Sequence, residues 1–323
     1  MPRHTTNVVK GYRTQDGAGV SLVRVLGDQT ARDFDPFLML DSFDSTNPDD
    51  YTAGFPFHPH RGIETVSYLR EGAMHHRDTM GFEDTVTSGE VQWMCAGSGV
   101  EHEETIPASR RLLGVQLWLN LPAADKMAQP TYHAVKRDAI ESVALDGAML
   151  RLLAGRFMED DGTVHQGFVG GHLPLDYYEL TVEPGRNIET PVGEDRSVLA
   201  FTLEGSALIG GLPLGEKTAA KLVDGDRVSI TATGEKPSVV LLMSSMALHE
   251  PIAWGGPIVM NTTAELRQAF RDLNEGPSSR SVCVTSRLSL GSALSPPSPF
   301  FIGIRELRLS ATGQTLASFH RNR

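Results

Sequence analysis

The chain has 323 residues, a length that accommodates two domains of ordinary size. Hydrophobic residues make up 40% of it and charged residues 21%, which is typical of a globular protein and excludes a disordered one. The formal net charge of −11 argues against broad binding to nucleic-acid phosphates, so we expect no direct nucleic-acid partner.

No segment indicates export or membrane insertion. Residues 1–10 contain charges but no apolar run, unlike a signal peptide. No stretch reaches the roughly 18 uninterrupted apolar residues that cross a bilayer. The two cysteines, Cys95 and Cys283, form neither a disulfide framework nor a recognisable thiolate metal motif, which favours a reducing compartment. The sequence therefore predicts a cytoplasmic protein without a membrane partner.

Short apolar and β-branched runs, separated by glycine-containing turns, predict an all-β fold. In the first half, strands are predicted at residues 20–26, 65–69, 74–79, 85–87, 91–94 and 112–119, and residues 37–40 form a short apolar run. In the second half, they are predicted at residues 150–153, 178–182, 198–203, 207–209, 221–223, 228–230 and 239–242. This spacing predicts two β-barrels or double-sheet sandwiches of one architecture.

A polar, proline-bounded segment at residues 120–130 is predicted to connect the two domains. The predicted division is therefore residues 1–130 and 131–276. Near the end of the second domain, Thr262 and Glu265 have the spacing of a capping box, which predicts a helix over residues 262–274. Its apolar residues recur at helical spacing on one face, at Leu266, Ala269, Phe270 and Leu273.

The composition changes after this helix. Residues 277–323 contain six arginines and one acidic residue, so they carry +5 and the rest of the chain carries −16. The proline-rich run at residues 295–299 cannot continue a helix or a central strand. We expect this atypical Arg/Ser/Pro-rich tail to be poorly ordered.

Two short motifs in the first half have the pattern of metal ligands. They are His58-Pro59-His60 and, about forty residues later, His102-Glu103-Glu104. Side chains at i and i+2 of a strand point to the same face, so each motif can present two ligands together. If the two strands meet inside a barrel, three imidazoles and the Glu104 carboxylate converge.

A lone His-x-His is more often a pair of surface histidines than a ligand pair. The second motif, and the turn at Gly97-Ser98-Gly99 before it, favour the metal interpretation, because glycines permit the positive φ of a tight turn. Three imidazoles and a carboxylate suit iron, manganese, cobalt, nickel or copper better than a closed structural zinc site, which usually recruits thiolates.

Several neighbours of these motifs have two interpretations. Glu64 is either an outer partner of a ligand or a turn cap, and Glu103 should face solvent. His76 and Asp78 share a strand face, either to hydrogen-bond a ligating imidazole or as a surface pair. Four apolar residues can line a pocket above the metal or belong to the ordinary core: Phe55, Phe57, Trp93 and Met94.

The second half does not repeat the ligand pattern. His165, His172 and His249 are isolated from one another in sequence. We therefore predict a second barrel that binds no metal and serves structure, packing or partner contact.

Further short segments, taken together with the histidine motifs, form a pattern that is specific to one protein family. They are DPFLMLD at 35–41, HPHRG at 58–62, ETV at 64–66, HRD at 76–78, VQWM at 91–94, GSG at 97–99 before His102 and Glu104, QLW at 116–118, NLP at 120–122 and GPIVMNT at 256–262. With these segments, residues 7–276 resemble the pirin family of the cupin superfamily.

The resemblance implies a bicupin in which the first barrel holds a metal and the second does not. The implied ligands are His58, His60, His102 and Glu104, and the implied metal is Fe(II), with Mn, Co, Ni or Cu as alternatives. Ser98 and Glu101 replace a basic and an apolar residue found in many pirins, a difference that bears on pocket charge and substrate preference.

Two functions follow from the resemblance. The first is a quercetin 2,3-dioxygenase type of reaction, in which Glu104 is the catalytic base for a phenolic substrate and the flavonol ring opens with O2 and loses carbon monoxide. The alternative is an iron-containing regulator that acts through redox-sensitive contact with a protein partner, as a co-regulator of transcription or metabolism.

Overall fold

The computed structural model describes residues 1–275 of the chain. The tail predicted for residues 277–323 lies outside the described residues. Within residues 1–275, β-strands dominate and one α-helix follows them, which confirms the all-β prediction. That helix has 13 residues, and no helix in this part of the chain is both long and apolar enough to cross a membrane.

Strands β1 to β12 lie in the first 135 residues. They are β1 His4–Lys10, β2 Tyr12–Asp16, β3 Val20–Leu26, β4 Phe37–Ser45, β5 Phe55–His60, β6 Ile63–Glu71, β7 Ala73–Asp78, β8 Glu83–Thr87, β9 Glu90–Cys95, β10 Val100–Thr105, β11 Leu112–Asn120 and β12 Thr131–Val135. Short 3₁₀ helices occupy Pro48–Asp50, Ala123–Asp125 and Arg137–Ala139.

Strands β13 to β26 and helix α1 follow. They are β13 Glu141–Leu145, β14 Ala148–Ala154, β15 Arg156–Met158, β16 Val164–Gln166, β17 Leu175–Val182, β18 Asn187–Pro191, β19 Arg196–Glu204, β20 Ala207–Ile209, β21 Leu212–Leu214, β22 Thr218–Val223, β23 Arg227–Ala232, β24 Ser238–Met246, β25 Ala253–Gly255, β26 Ile258–Met260 and α1 Thr263–Glu275.

Each barrel consists of one seven-stranded and one four-stranded antiparallel sheet. In the first barrel the strand orders are β12-β9-β6-β11-β4-β3-β2 and β5-β10-β7-β8. In the second they are β1-β22-β19-β24-β17-β14-β13 and β18-β23-β20-β21. Apolar side chains from both sheets pack together inside each barrel, as the alternating pattern of the strands requires.

The seven-stranded sheets also form the junction between the barrels. Strand β11 is buried along its whole length, because one face lines the first barrel and the other packs against the second half. Apolar residues from both halves share this core, among them Val66, Trp93, Leu117, Tyr177, Phe201 and Leu241. Central strands covered on both faces are therefore apolar at successive positions, which explains why strict alternation is lost there.

Strand pairing does not follow the predicted division at residue 130. Strand β1, at the N-terminus, pairs with β22 of the second barrel, from His4 opposite Val223 to Lys10 opposite Thr218. Strand β12, just after the division, pairs with β9 of the first barrel. Each half thus adds an edge strand to the other barrel. An edge strand has one unpaired side that any nearby segment can satisfy, so local sequence does not reveal its partner.

Helix α1 confirms the predicted C-terminal helix and begins one residue later. The Glu265 backbone N–H donates to Thr262 Oγ1 at 3.2 Å, and the Thr262 N–H donates to Glu265 Oε2 at 2.8 Å. This is the reciprocal pair of a capping box. Ala269 is buried against β26, and Leu266, Phe270 and Leu273 pack around it.

Candidate metal centre

The two histidine motifs lie on neighbouring strands of one sheet. Strands β5 and β10 pair antiparallel, with His58 directly opposite His102. The register shifts between His102 and Glu104, so that Glu104 pairs with Phe55. Such a bulge turns the strand locally and re-aims side chains, and bulges are common beside functional sites.

The structure brings three of the four predicted ligands together. One possible ligand atom from each of His58, His60 and His102 lies within 4.8 Å of the other two. The Nε2 atoms of His58 and His102 are 3.1 Å apart. His60 and His102 are buried, whereas His58 is partly exposed, so His58 is the most solvent-accessible member of the cluster.

Backbone carbonyls determine which nitrogen of two rings carries the proton. His58 Nδ1 lies 2.9 Å from the Pro56 carbonyl oxygen, and His60 Nδ1 lies 3.2 Å from that of Pro257. A carbonyl oxygen only accepts, so Nδ1 must be the donor in both rings. In a neutral ring of this tautomer, Nε2 carries no proton, and its lone pair faces the centre of the histidine cluster.

His102 is oriented by a chain of side chains. Its Nδ1 lies 3.2 Å from His76 Nδ1, and His76 Nε2 lies 2.9 Å from Asp78 Oδ2. The Asp78 carboxylate accepts, so neutral His76 donates from Nε2 and accepts at Nδ1 from His102. This leaves His102 Nε2 unprotonated as well. His76 and Asp78 are buried and His76 contacts the His102 imidazole, so the two do not form a surface pair.

Burial keeps two of these rings neutral. It lowers the pKa of His60 to about 3, with repulsion from His58 adding to the effect. Burial also holds the pKa of His102 well below its usual value, and the three neighbouring histidines lower it further. Neutral imidazoles are the form in which histidine binds metal ions.

The centre fits a divalent metal ion. When both rings are neutral, the Nε2 atoms of His58 and His102 face each other at 3.1 Å and repel unless a cation lies between them. Ligands bonded to one ion at about 2.1 Å lie about 3.0–3.4 Å apart when they are adjacent in octahedral or tetrahedral geometry. Nitrogen ligands without thiolate suit the first-row metals named above, and each ring already has an outer partner that orients it.

Glu104 lies beside this cluster but is held by other side chains. It is buried, and its two carboxylate oxygens accept from Gln92 Nε2 at 2.6 Å and from Gln116 Nε2 at 3.1 Å. It is not part of the group of atoms within 4.8 Å. Its role as fourth ligand and base therefore stays a prediction, and sequence reasoning did not identify the two glutamines that orient it.

Aromatic rings pack on His60 and on His76. The Trp118 ring lies 5.0 Å from that of His60, and Tyr132 stacks on His76 at 4.1 Å. Of the four predicted pocket residues, Phe55 is 6.4 Å from His58 and Phe57 is exposed. Trp93 and Met94 belong to apolar cores. The sequence analysis named Trp118 only within the QLW segment at 116–118, and no sequence pattern pointed to Tyr132.

Glu64 and Glu103 lie away from the ligand histidines. Glu103 forms an ion pair with Arg77 at 2.6 Å on the outer face of β10. The Glu64 side chain is buried next to Cys95, and burial raises its pKa to about 7 although Trp93 and Cys95 lower it. Neither alternative predicted for Glu64 matches this position.

Two β-barrels in one chain, with imidazoles gathered inside the first, define a bicupin with a candidate metal centre. The chain belongs to the pirin family. The Pirin domain matches residues 19–119, and the Pirin C-terminal cupin domain matches residues 177–278.

The relatives cover both barrels. A pirin-like protein of Caulobacter vibrioides is 40% identical over 279 residues, which cover 85% of this chain and 99% of that protein. Pirin of Homo sapiens is 32% identical over 275 residues, covering 84% and 92% respectively. The crystal structure of quercetin 2,3-dioxygenase from Acinetobacter baumannii has a TM-score of 0.77 and 32% identity, covering 85% of this chain and 98% of that chain. These relatives confirm the pirin resemblance and the two-cupin fold.

Proposed function

We propose that this pirin is a metal-dependent dioxygenase of the quercetin 2,3-dioxygenase type. The observation that carries the proposal is the set of three imidazoles in the first barrel, whose ring nitrogens converge. A flavonol is the proposed phenolic substrate. The relative from Acinetobacter baumannii, which is called a quercetin 2,3-dioxygenase, supports this choice at 32% identity.

We assign the metal to His58, His60 and His102, with Glu104 as the fourth ligand that the pirin resemblance implies. Fe(II) is the first choice, and Mn, Co, Ni and Cu are the alternatives that the donor set allows. When bound, the ion would supply Lewis acidity toward the flavonol 3-hydroxyl and the redox chemistry with O2.

Glu104 is the proposed general base. Its carboxylate is buried two residues along β10 from His102, and its Oε2 accepts one hydrogen bond, from Gln116, so that oxygen keeps a second lone pair. It would take the proton of the flavonol 3-hydroxyl, while Gln92 and Gln116 hold the carboxylate in place. The flavonolate would then react with O2, and the ring would open with loss of carbon monoxide.

Oxygen uptake with quercetin tests the proposal. We expect iron-reconstituted protein to consume oxygen only when quercetin is present, and chelator-treated protein to consume none. Iron bound at one equivalent without quercetin-dependent uptake would overturn the enzymatic proposal. That result would match the regulatory alternative, in which the metal serves contact with a protein partner.

Replacing Glu104 with glutamine separates its role as base from metal binding. We expect kcat to fall by at least about 100-fold while part of the iron is retained, because the amide cannot take the proton. Gln92 Oε1 has no hydrogen-bond partner in the described structure. If the Gln92 amide rotates, this oxygen can accept a hydrogen bond from the amide introduced at position 104. The measurement is oxygen uptake alongside iron content.

Glu103→Gln is the matched control, because Glu103 is the next residue on the same strand and its carboxylate meets Arg77 on the outer face. It should keep both iron and turnover. Unchanged turnover in Glu104→Gln would refute the assignment of Glu104 as the base.

A further inference from the structure

A second cluster of possible metal ligands lies on the opposite face of the first barrel's large sheet. Strands β6 and β9 pair antiparallel, with Glu64 directly opposite Cys95. Both side chains are buried, at 1% exposure each. Residues paired directly across two strands have neighbouring side chains on one face, so the carboxylate and the thiol are held together by the sheet itself.

The alternation along β9 separates this cluster from the histidine centre. Gln92 points into the first barrel, where it donates to Glu104, and Met94 packs in the same interior near Trp118. Trp93 and Cys95 point the other way, and Trp93 packs in the core shared with the second half. The Cys95 cluster therefore lies on the side of the sheet that meets the second barrel.

The second half of the chain completes the cluster. His172, in the segment between β16 and β17, brings a ring nitrogen to Glu64 and Cys95, and one possible ligand atom from each residue lies within 4.8 Å of the other two. His172 Nδ1 is 3.5 Å from Asp125 Oδ1. Asp125 ends the 3₁₀ helix after β11 and can orient the imidazole, as carboxylates do behind metal-binding histidines.

The buried Glu64 carboxylate lacks a positive partner in the described part of the chain. Its Oε2 atom is buried without a hydrogen bond. The buried ammonium of Lys126 is committed elsewhere, because its Nζ donates to the Gly62 and Val259 carbonyl oxygens and to Asn120 Oδ1. A buried carboxyl oxygen without a donor is costly, and a cation bound here would supply the partner that Oε2 lacks.

We propose that Glu64, Cys95 and His172 bind a zinc ion at the junction of the two barrels. Thiolate, imidazole and carboxylate are the ligands that zinc takes in proteins, and the thiolate distinguishes this site from the all-nitrogen cluster of the histidine centre. The fourth position is left to water or to Asp125. In tetrahedral zinc geometry the ligand atoms lie about 3.3–3.6 Å apart, so no separation within the cluster needs to shorten by more than about 1.5 Å.

The ion would join the two halves of the chain. Glu64 and Cys95 belong to adjacent strands of the first barrel, whereas His172 precedes β17 of the second. Nothing in the sequence indicates such a site, because the three residues are dispersed over more than 100 positions and no short ligand motif contains them.

Cobalt titration tests the site, because a thiolate bound to Co(II) gives a sulfur-to-metal charge-transfer band in the near ultraviolet. The proposed ligands of the histidine centre include no sulfur, so of the two proposed sites the junction site alone can give this band. We expect two Co(II) ions per chain in the full-length protein, one of them with the band. His60→Ala should keep the band, which separates this test from that of the dioxygenase proposal.

Two variants and one control complete the experiment. Cys95→Ser should lose the band, and Cys283→Ser, which replaces the chain's other cysteine, should keep it. His172→Ala, on a partly exposed segment, should fold and weaken binding at this site by at least about 100-fold. Absence of the band in the wild-type protein, or its survival in Cys95→Ser, would overturn the proposal.

Discussion

Replacing His60 with alanine is expected to remove bound iron and quercetin-dependent oxygen uptake together. His60 is buried, and its pKa, lowered to about 3, keeps Nε2 unprotonated at neutral pH. Its ring is fixed by the Pro257 carbonyl on one side and by the edge of Trp118 on another. Alanine removes the ligand atom, and nothing else in this oriented set can replace it.

The measurements are iron content after reconstitution and oxygen uptake with quercetin. Oxygen uptake should fall to that of the metal-free protein. His75→Ala is a matched control, because His75 lies on β7 of the same sheet and contacts Thr85 and Glu83 on the outer face. That variant should keep iron and uptake. A His60→Ala protein with one equivalent of iron and wild-type uptake would refute the ligand assignment.

The placement of His58 and His60 on one face could be predicted because its geometry is local. Strand periodicity alone places His58 with His60 on one face, and the structure adds that His102 sits directly opposite His58. Only some of the groups that orient the histidine rings could be predicted from the sequence. His76 and Asp78 share a face by the same periodicity, whereas the Pro257 carbonyl comes from almost 200 residues away in sequence.

The strands and the two barrels could be predicted from the sequence, but the exchange of edge strands between the barrels could not. The pairing of β1 with β22 joins segments more than 200 residues apart, and no property of the short β1 sequence specifies that partner. The cluster of Glu64, Cys95 and His172 was missed for the same reason. Each residue is unremarkable in its own segment, and only packing of the two halves brings them together.

Replacing Glu179 with alanine is expected to lower the free energy of unfolding by about 3 kcal/mol. Glu179 lies on β17 of the second barrel with 2% of its side chain exposed. It accepts from Tyr68 Oη and from Arg70 Nη1 of the first barrel, and Arg151 Nη1 donates to Tyr68 Oη at 2.8 Å. Alanine would leave the buried tyrosine hydroxyl without its acceptor and the Arg70 guanidinium without its most buried partner.

Glu204→Ala is the matched control, because Glu204 also pairs with Arg70 but is 26% exposed. Water can replace the carboxylate there, so the loss should stay below about 1 kcal/mol. Urea unfolding of both variants measures the difference, and equal losses would refute the central role of Glu179. A larger loss for Glu179 would mean that the barrels are held together by a desolvated polar contact as well as by apolar packing. Its removal would then weaken the junction that brings His172 to Glu64 and Cys95.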